Sequence, residues 1–157
     1  MAVPAPVPVA PRSAWAIEER HWSRDWAQTR KARTTLRDAL AEALKQEGLI
    51  LEAITLPAGG SSAELRYRNT RYRSQTQAVG RAARAMARLL PPSVETLKIV
   101  PMRGGLALSQ VVLRRSDLEA LEFDADATEA LWAVTAVQEA PALAQDALVA
   151  ALKGGAA

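Results

Sequence analysis

Arginine carries the most chemical potential in this sequence. From Arg66 to Arg115 the chain holds ten arginines and one lysine against a single acid, Glu95. Guanidinium groups stay charged at any working pH and present planar donors that match carboxylate, sulfate and phosphate oxygens. Two subsets stand out by spacing. Arg66, Arg68, Arg71 and Arg73 follow one another through Arg66-Tyr-Arg-Asn-Thr-Arg-Tyr-Arg73, and Arg81, Arg84 and Arg88 recur at intervals of three and four. On a helix the second spacing aligns all three on one face, which is expected to be exposed. The chemistry implied is recognition of an anion, not bond making. A plainer alternative is neutralisation of the chain's own tail, because residues 116–157 hold Lys153 against eight acids.

Other reactive groups are few. The one histidine, His21, forms Glu18-x-x-His21-x-x-x-Asp25, three potential metal ligands on one helical face. A di-metal carboxylate site needs a second such motif, and none exists, so no metal and no cofactor are expected. There is no cysteine, which excludes disulfides, thiolate metal sites and a thiol nucleophile. No G-x-S-x-G elbow accompanies a serine, and neither Gly59-Gly60 nor Gly104-Gly105 extends into a phosphate-binding loop. The chain is therefore expected to be non-enzymatic. An intracellular nucleic-acid-binding module is the alternative class for an arginine-rich face. The spaced aromatics of a base-stacking strand are missing, however, with only Tyr67 and Tyr72 near the cluster.

These arginines need elements to position them. A length of 157 residues fits one domain with a real core. Residues 1–13 alternate proline with small apolar residues and read as a linker, too short and too broken to span a membrane. Residues 14–122 read as an α+β domain. Trp15, Trp22, Trp26, Leu36, Leu40 and Leu44 fall in a stripe roughly 80° wide at ~100° per residue, so a long helix, or two, is expected up to Gly48. The three tryptophans would pack on the sheet or offer a partner-docking or sugar-stacking face.

Strands follow over Leu49–Leu56 and Ala63–Arg68, the latter with Glu64, Arg66 and Arg68 on a wet face. Ser74 caps a helix to Leu90, ended by Pro91-Pro92. Gly80 inside it suggests close approach of another backbone. A second hairpin, Val94–Val100 and Leu106–Leu113, leads to a capping box, Ser116-x-x-Glu119, and a short helix, Asp117 to Leu121. The order is αββαββ, with antiparallel hairpins making a sheet and helices on one face. Leu65, Val79, Met86, Ile99 and Leu108 are expected in the core. Residues 123–157 read as an acidic tail, ambiguous over Thr128–Val137 and helical from Pro141 through Leu152.

The series Arg68-Asn-Thr-Arg-Tyr-Arg73, Gln77-Ala-Val-Gly-Arg-Ala-Ala-Arg84, Val94-Glu-x-x-x-Ile99, Gly105-Leu-Ala-Leu-Ser109 and Arg114-Arg-Ser-Asp-Leu-Glu119 resembles a stretch of the YjbH-like exopolysaccharide biosynthesis proteins. Gly48-Leu-x-Leu-Glu-Ala-Ile54 extends the likeness, which covers roughly residues 36–122. Members of that family are large outer-membrane lipoproteins tied to production and export of exopolysaccharide or capsule, with β-barrel regions and soluble α/β segments. The resemblance implies a soluble segment at the periplasmic face of the outer membrane. It would act on an acidic polysaccharide, or dock a neighbouring β-barrel or secretion protein. No lipidated cysteine, leader-like start or run of ~10-residue barrel strands is present, so anchoring and pore formation are expected to lie outside these residues.

His21 gives the sharpest check on the absence of chemistry. His21→Ala in the full-length protein should leave exopolysaccharide output unchanged in a complementation assay. Lost output from a folded, normally abundant variant would reveal a missed active site.

Overall fold

Leu36, Leu40 and Leu44 recur every fourth residue and are all buried, which makes one apolar stripe of helix α1, Arg30–Gln46. In the computed structural model the described residues are 30–56, 61–121 and 127–150. Trp15, Trp22, Trp26 and His21 lie outside them. Gly48 ends α1 with φ +82°, a left-handed conformation that glycine adopts freely.

Strand β1, Leu49–Thr55, then pairs antiparallel with β2, Ser62–Asn69. Helix α2, Gln75–Leu89, carries the chain across to β3, Thr96–Arg103. Ser74 is its N-cap, with Oγ accepting from the Gln77 N–H at 3.4 Å. At the other end Leu90 is extended, as a residue before proline prefers. Buried alanines at 78, 82, 83, 85 and 87 bring α2 close to its neighbours.

Because a helix lies between them, β2 and β3 run parallel, with Leu65 opposite Ile99 and Arg68 opposite Met102. The αββ order holds, but the central pair is a crossover, so the sheet is mixed and not built of hairpins alone. Gly104 and Gly105, at φ +57° and +79°, make the two-residue turn into β4, Leu106–Ala107. Strand β5, Gln110–Arg114, returns along β3. Registers of β4 and β5 against β3 differ by one residue, a bulge at Leu108–Ser109. That bulge breaks the alternation. Leu108 is exposed where the sequence suggested core, whereas Leu65, Val79, Met86 and Ile99 are buried.

The remaining elements are α3, Arg115–Leu121, α4, Ala127–Ala133, β6, Ala136–Gln138, and β7, Leu148–Val149. Sheet order is β6-β5-β3-β2-β1-β7, with β4 on the end of β3. No helix among the described residues is long and apolar enough to cross a membrane.

The two faces of the sheet differ. Leu65, Tyr67, Leu97, Ile99, Val111 and Leu113 join α1, α2, Leu118 and Leu131 in one apolar core. Alternation sends Glu64, Arg66, Val100 and Gln110 to the opposite face. That face was expected to be wet, yet Arg66 and Gln110 are buried there and Val100 is fully so. The segment between β6 and β7 explains this, since those strands lie at opposite edges of the sheet and the connection must cross it. Arg66 Nη2 donates to the Pro141 carbonyl at 2.7 Å, and Arg66 Nε to Glu64 at 2.7 Å. Gln110 donates to Glu64 at 2.8 Å and receives a bond from Gln138 at 2.6 Å.

The helix expected from Pro141 is therefore absent. Pro141 is tied to Arg66, and Leu148 pairs with Ile54, so tertiary pairing overrides the helical propensity of an alanine-rich stretch.

Arg115 is completely buried at the start of α3. Its Nη1 donates to the carbonyls of Pro91 at 2.7 Å and Val94 at 3.2 Å, and its Nη2 to those of Ala87 at 2.6 Å and Leu90 at 3.0 Å. Nε faces the Glu119 carboxylate at 3.6 Å. Ser116, read from sequence as a cap, instead sits inside the helix and donates to Glu95 at 2.5 Å. Arg115→Met should lower unfolding free energy by about 3–5 kcal/mol, because four carbonyls and Glu119 lose the guanidinium they share. Arg115→Lys should lose more than about 1 kcal/mol, since an ammonium cannot satisfy the same fork. Urea titration of each variant checks both, and near-wild-type stability of Arg115→Met would contradict the role.

Candidate anion-binding site

Asn69 ends β2 and folds the chain back on itself. Its Oδ1 accepts from the N–H groups of Arg71 at 3.0 Å and Tyr72 at 2.9 Å, and its Nδ2 donates to the Tyr72 carbonyl at 2.7 Å. This turn divides the clustered arginines. Arg71 swings back over the end of α1, where its side chain packs on Gly48 and reaches the Gln46 carbonyl at 3.5 Å. Arg73 is left exposed just before α2.

Parallel pairing then sets the geometry. The ends of β2 and β3 and the start of α2 lie on one side of the molecule, the usual place for ligands in such units. A concavity of about 250 Å³ opens there, lined by Arg68, Asn69, Tyr72, Arg73, Gln75, Met102, Arg103 and Gly104. Arg68, Arg73 and Arg103 are exposed, and among the described residues none of the three has a hydrogen bond or ion pair. No acid lines the concavity, and α2 has none in its first turn, so its free N–H groups add to the positive field. The Tyr67 hydroxyl donates to Gln75 Oε1 at 3.0 Å, which holds that amide and leaves its NH₂ as the free end. Burial pushes the Tyr67 phenol well above its ordinary value, so it remains a donor.

The structure thus sorts the seven arginines expected to act together. Only Arg68 and Arg73 meet, joined by Arg103 at the end of β3, a residue outside the seven. Arg66 is buried under the Pro141 segment. Arg81 is buried too, with Nη1 on Glu47 Oε2 at 2.9 Å and its guanidinium 5.5 Å from the Tyr72 ring centre. The helix stripe is therefore not one exposed face: Arg81 belongs to the joint between α1 and α2, while Arg84 and Arg88 are half-buried. Glu47 lies just beyond α1, and Tyr72 Oη donates to its carbonyl at 2.7 Å, which explains the inward turn of Arg81. The ion pair and the ring contact of Arg81 both run to the first half of the chain, to Glu47 and Tyr72. No group of three acids or histidines that could hold a metal occurs among the described residues.

A family model described as exopolysaccharide biosynthesis protein YbjH matches residues 4–153, nearly the whole chain. No curated protein and no solved structure matches it.

The Tyr67–Gln75 bond generates a pH prediction. The folded phenol keeps its proton above pH ~10, where the unfolded chain loses it, so stability should fall as pH rises through that value. Tyr67→Phe should flatten this alkaline limb. Near neutrality, losing one hydrogen bond should cost about 1 kcal/mol. Chemical denaturation of both proteins from neutral to strongly alkaline pH measures the difference, and identical pH profiles would refute the assignment.

Proposed function

Since the chain belongs to the YjbH family of exopolysaccharide biosynthesis proteins, we propose that it binds the anionic groups of an acidic exopolysaccharide at Arg68, Arg73 and Arg103. The observation that carries this reading is three guanidinium groups converging without an acid around one concavity, at the positive end of α2, whose first turn holds no acid. Clustering like charges is unfavourable in the absence of a counter-ion, and a carboxylate, sulfate or phosphate group relieves it through charge-assisted, bidentate bonds. Such contacts are weak singly and screened by salt, which suits a polymer that must be held and released. The domain works by contact and not by catalysis, on the periplasmic side of the outer membrane, where a polymer under export passes. An arginine cluster would also attract nucleic acid, but no aromatic platform accompanies this one.

Binding of the full chain to a polyuronate such as alginate, to neutral dextran and to single-stranded RNA, all at one salt concentration, tests the proposal. Alginate should bind, and dextran should not. Reversing Arg68, Arg73 and Arg103 together to Glu should weaken alginate binding by about tenfold or more, and added salt should weaken the wild type likewise. The melting temperature should not drop, because none of the three has a partner to lose among the described residues. Absence of alginate binding at low salt, or binding indifferent to the triple reversal, would end the proposal. Preference for RNA over every anionic glycan would replace it with the nucleic-acid reading.

A further inference from the structure

Gly80 lies in the interior of α2, where glycine is a poor choice: it weakens a helix relative to alanine. No neighbouring backbone requires it, contrary to the expectation from sequence. A Cβ added there would meet only the Arg84 guanidinium, at 3.2 Å. What the missing side chain leaves open is the floor of a second cleft, about 400 Å³, large enough for a small organic ligand. Half-buried Trp132 of α4 lines it, with Leu113 and Leu131. Thr76, Gln77 and Arg84 supply polar groups. Among the described residues the Gln77 amide and the Trp132 indole N–H have no hydrogen-bond partner.

This cleft adjoins the basic concavity. Ser74 lines the one, while Arg73 and Gln75 line the other, so both open on the first turn of α2. Between them stands the stacked pair of Arg81 and Tyr72, each contributing to one side. The lining combines a larger apolar part with a smaller polar part of neutral donors and acceptors, and it holds two cations, Arg81 and Arg84, and no acid. A purely apolar ligand would strand the polar groups, and a metal ion would find no carboxylate. A sugar ring satisfies both parts, packing its C–H face on the indole and sharing its hydroxyls with Gln77, Thr76 and Arg84.

We propose that the Trp132 cleft is a saccharide subsite. It takes a ring of the same acidic polymer whose charged substituent sits against Arg68, Arg73 and Arg103, and the proposal rests on that reading of the basic concavity. The two sites then read different chemistry: charge at one, ring shape and hydroxyls at the other. Together they favour a polymer over a free anion.

Two variants test the subsite. Gly80→Gln places a helix-compatible side chain in the cleft without touching the core. Trp132→Ala removes the wall. Titrations use the full chain with an acidic hexasaccharide, such as an oligouronate, and separately with inorganic sulfate as an anion-only probe. In Gly80→Gln, hexasaccharide affinity should fall by about tenfold while sulfate affinity stays unchanged. Trp132→Ala should behave similarly. Should it also lower the melting temperature through lost packing, Gly80→Gln carries the decision. A folded Gly80→Gln protein with wild-type hexasaccharide affinity would overturn the subsite, and the anion site would still stand if reversing the three rim arginines abolished binding. Hexasaccharide binding indifferent to both sets of changes, or absent from the wild type, would remove both readings.

Discussion

One guanidinium holds the architecture together. Arg115 has no contact with water, although taking such a charge out of water costs several kcal/mol. What offsets that cost is position. The last carbonyls of α2 have no partner within the helix, and the proline pair that follows cannot supply one. Arg115 fills this vacancy at Ala87 and at the cap residue Leu90, and it also donates to the Pro91 and Val94 carbonyls of the loop that follows, with Glu119 behind it. A cation at the negative end of the helix dipole, between a helix, a loop and the exit of β5, fixes where α2 can lie on the sheet.

That fixation makes the two ends of α2 unequal. Its C-terminus is buried and its charge answered from within the fold. Its N-terminus emerges at the surface beside the ends of β2 and β3, with no acid in the first turn. The dipole's negative end is consumed by structure and its positive end remains available. Arg68, Arg73 and Arg103 meet there because a parallel βαβ unit brings both strand ends to the start of its helix. The basic middle of the sequence is thus used in two ways: arginines facing inward make joints, and those at the strand ends make a surface.

Much of this was legible in the sequence. The α+β class, the Ser74 cap, the stop at Pro91 and Pro92, Gly48 after α1 and the glycine turn at 104 and 105 all follow from local rules. What escaped were consequences of partners far away in the chain. Alternation put Arg66 on the second face correctly, but could not reveal that residues near Pro141 cover that face. Helical spacing aligned Arg81 with Arg84 and Arg88, but not Glu47, 34 residues earlier. Arg103 was recoverable, because a strand, a helix and a strand in succession imply parallel pairing, and parallel pairing puts Arg103 beside Arg68. Arg115 carried no such signal, since two adjacent arginines before a helix look alike until one is enclosed.

The joint of Glu47, Arg81 and Tyr72 shows why charge counting alone misleads here. Arg81 touches the cleft and Tyr72 the concavity, so this ion pair and ring contact form the partition between the two surfaces. Reversing Arg81 would set two carboxylates against each other in a buried place and disturb both surfaces at once, whatever either one binds. A loss of binding after that change would say nothing about contact with a ligand. Arginines at the rim carry no structural duty, so only there does a change of charge report on recognition. The distinction between an arginine that builds and one that binds is set by what already answers its charge, and in this protein the fold answers Arg115, Arg81 and Arg66 while leaving Arg68, Arg73 and Arg103 to solvent or to a ligand.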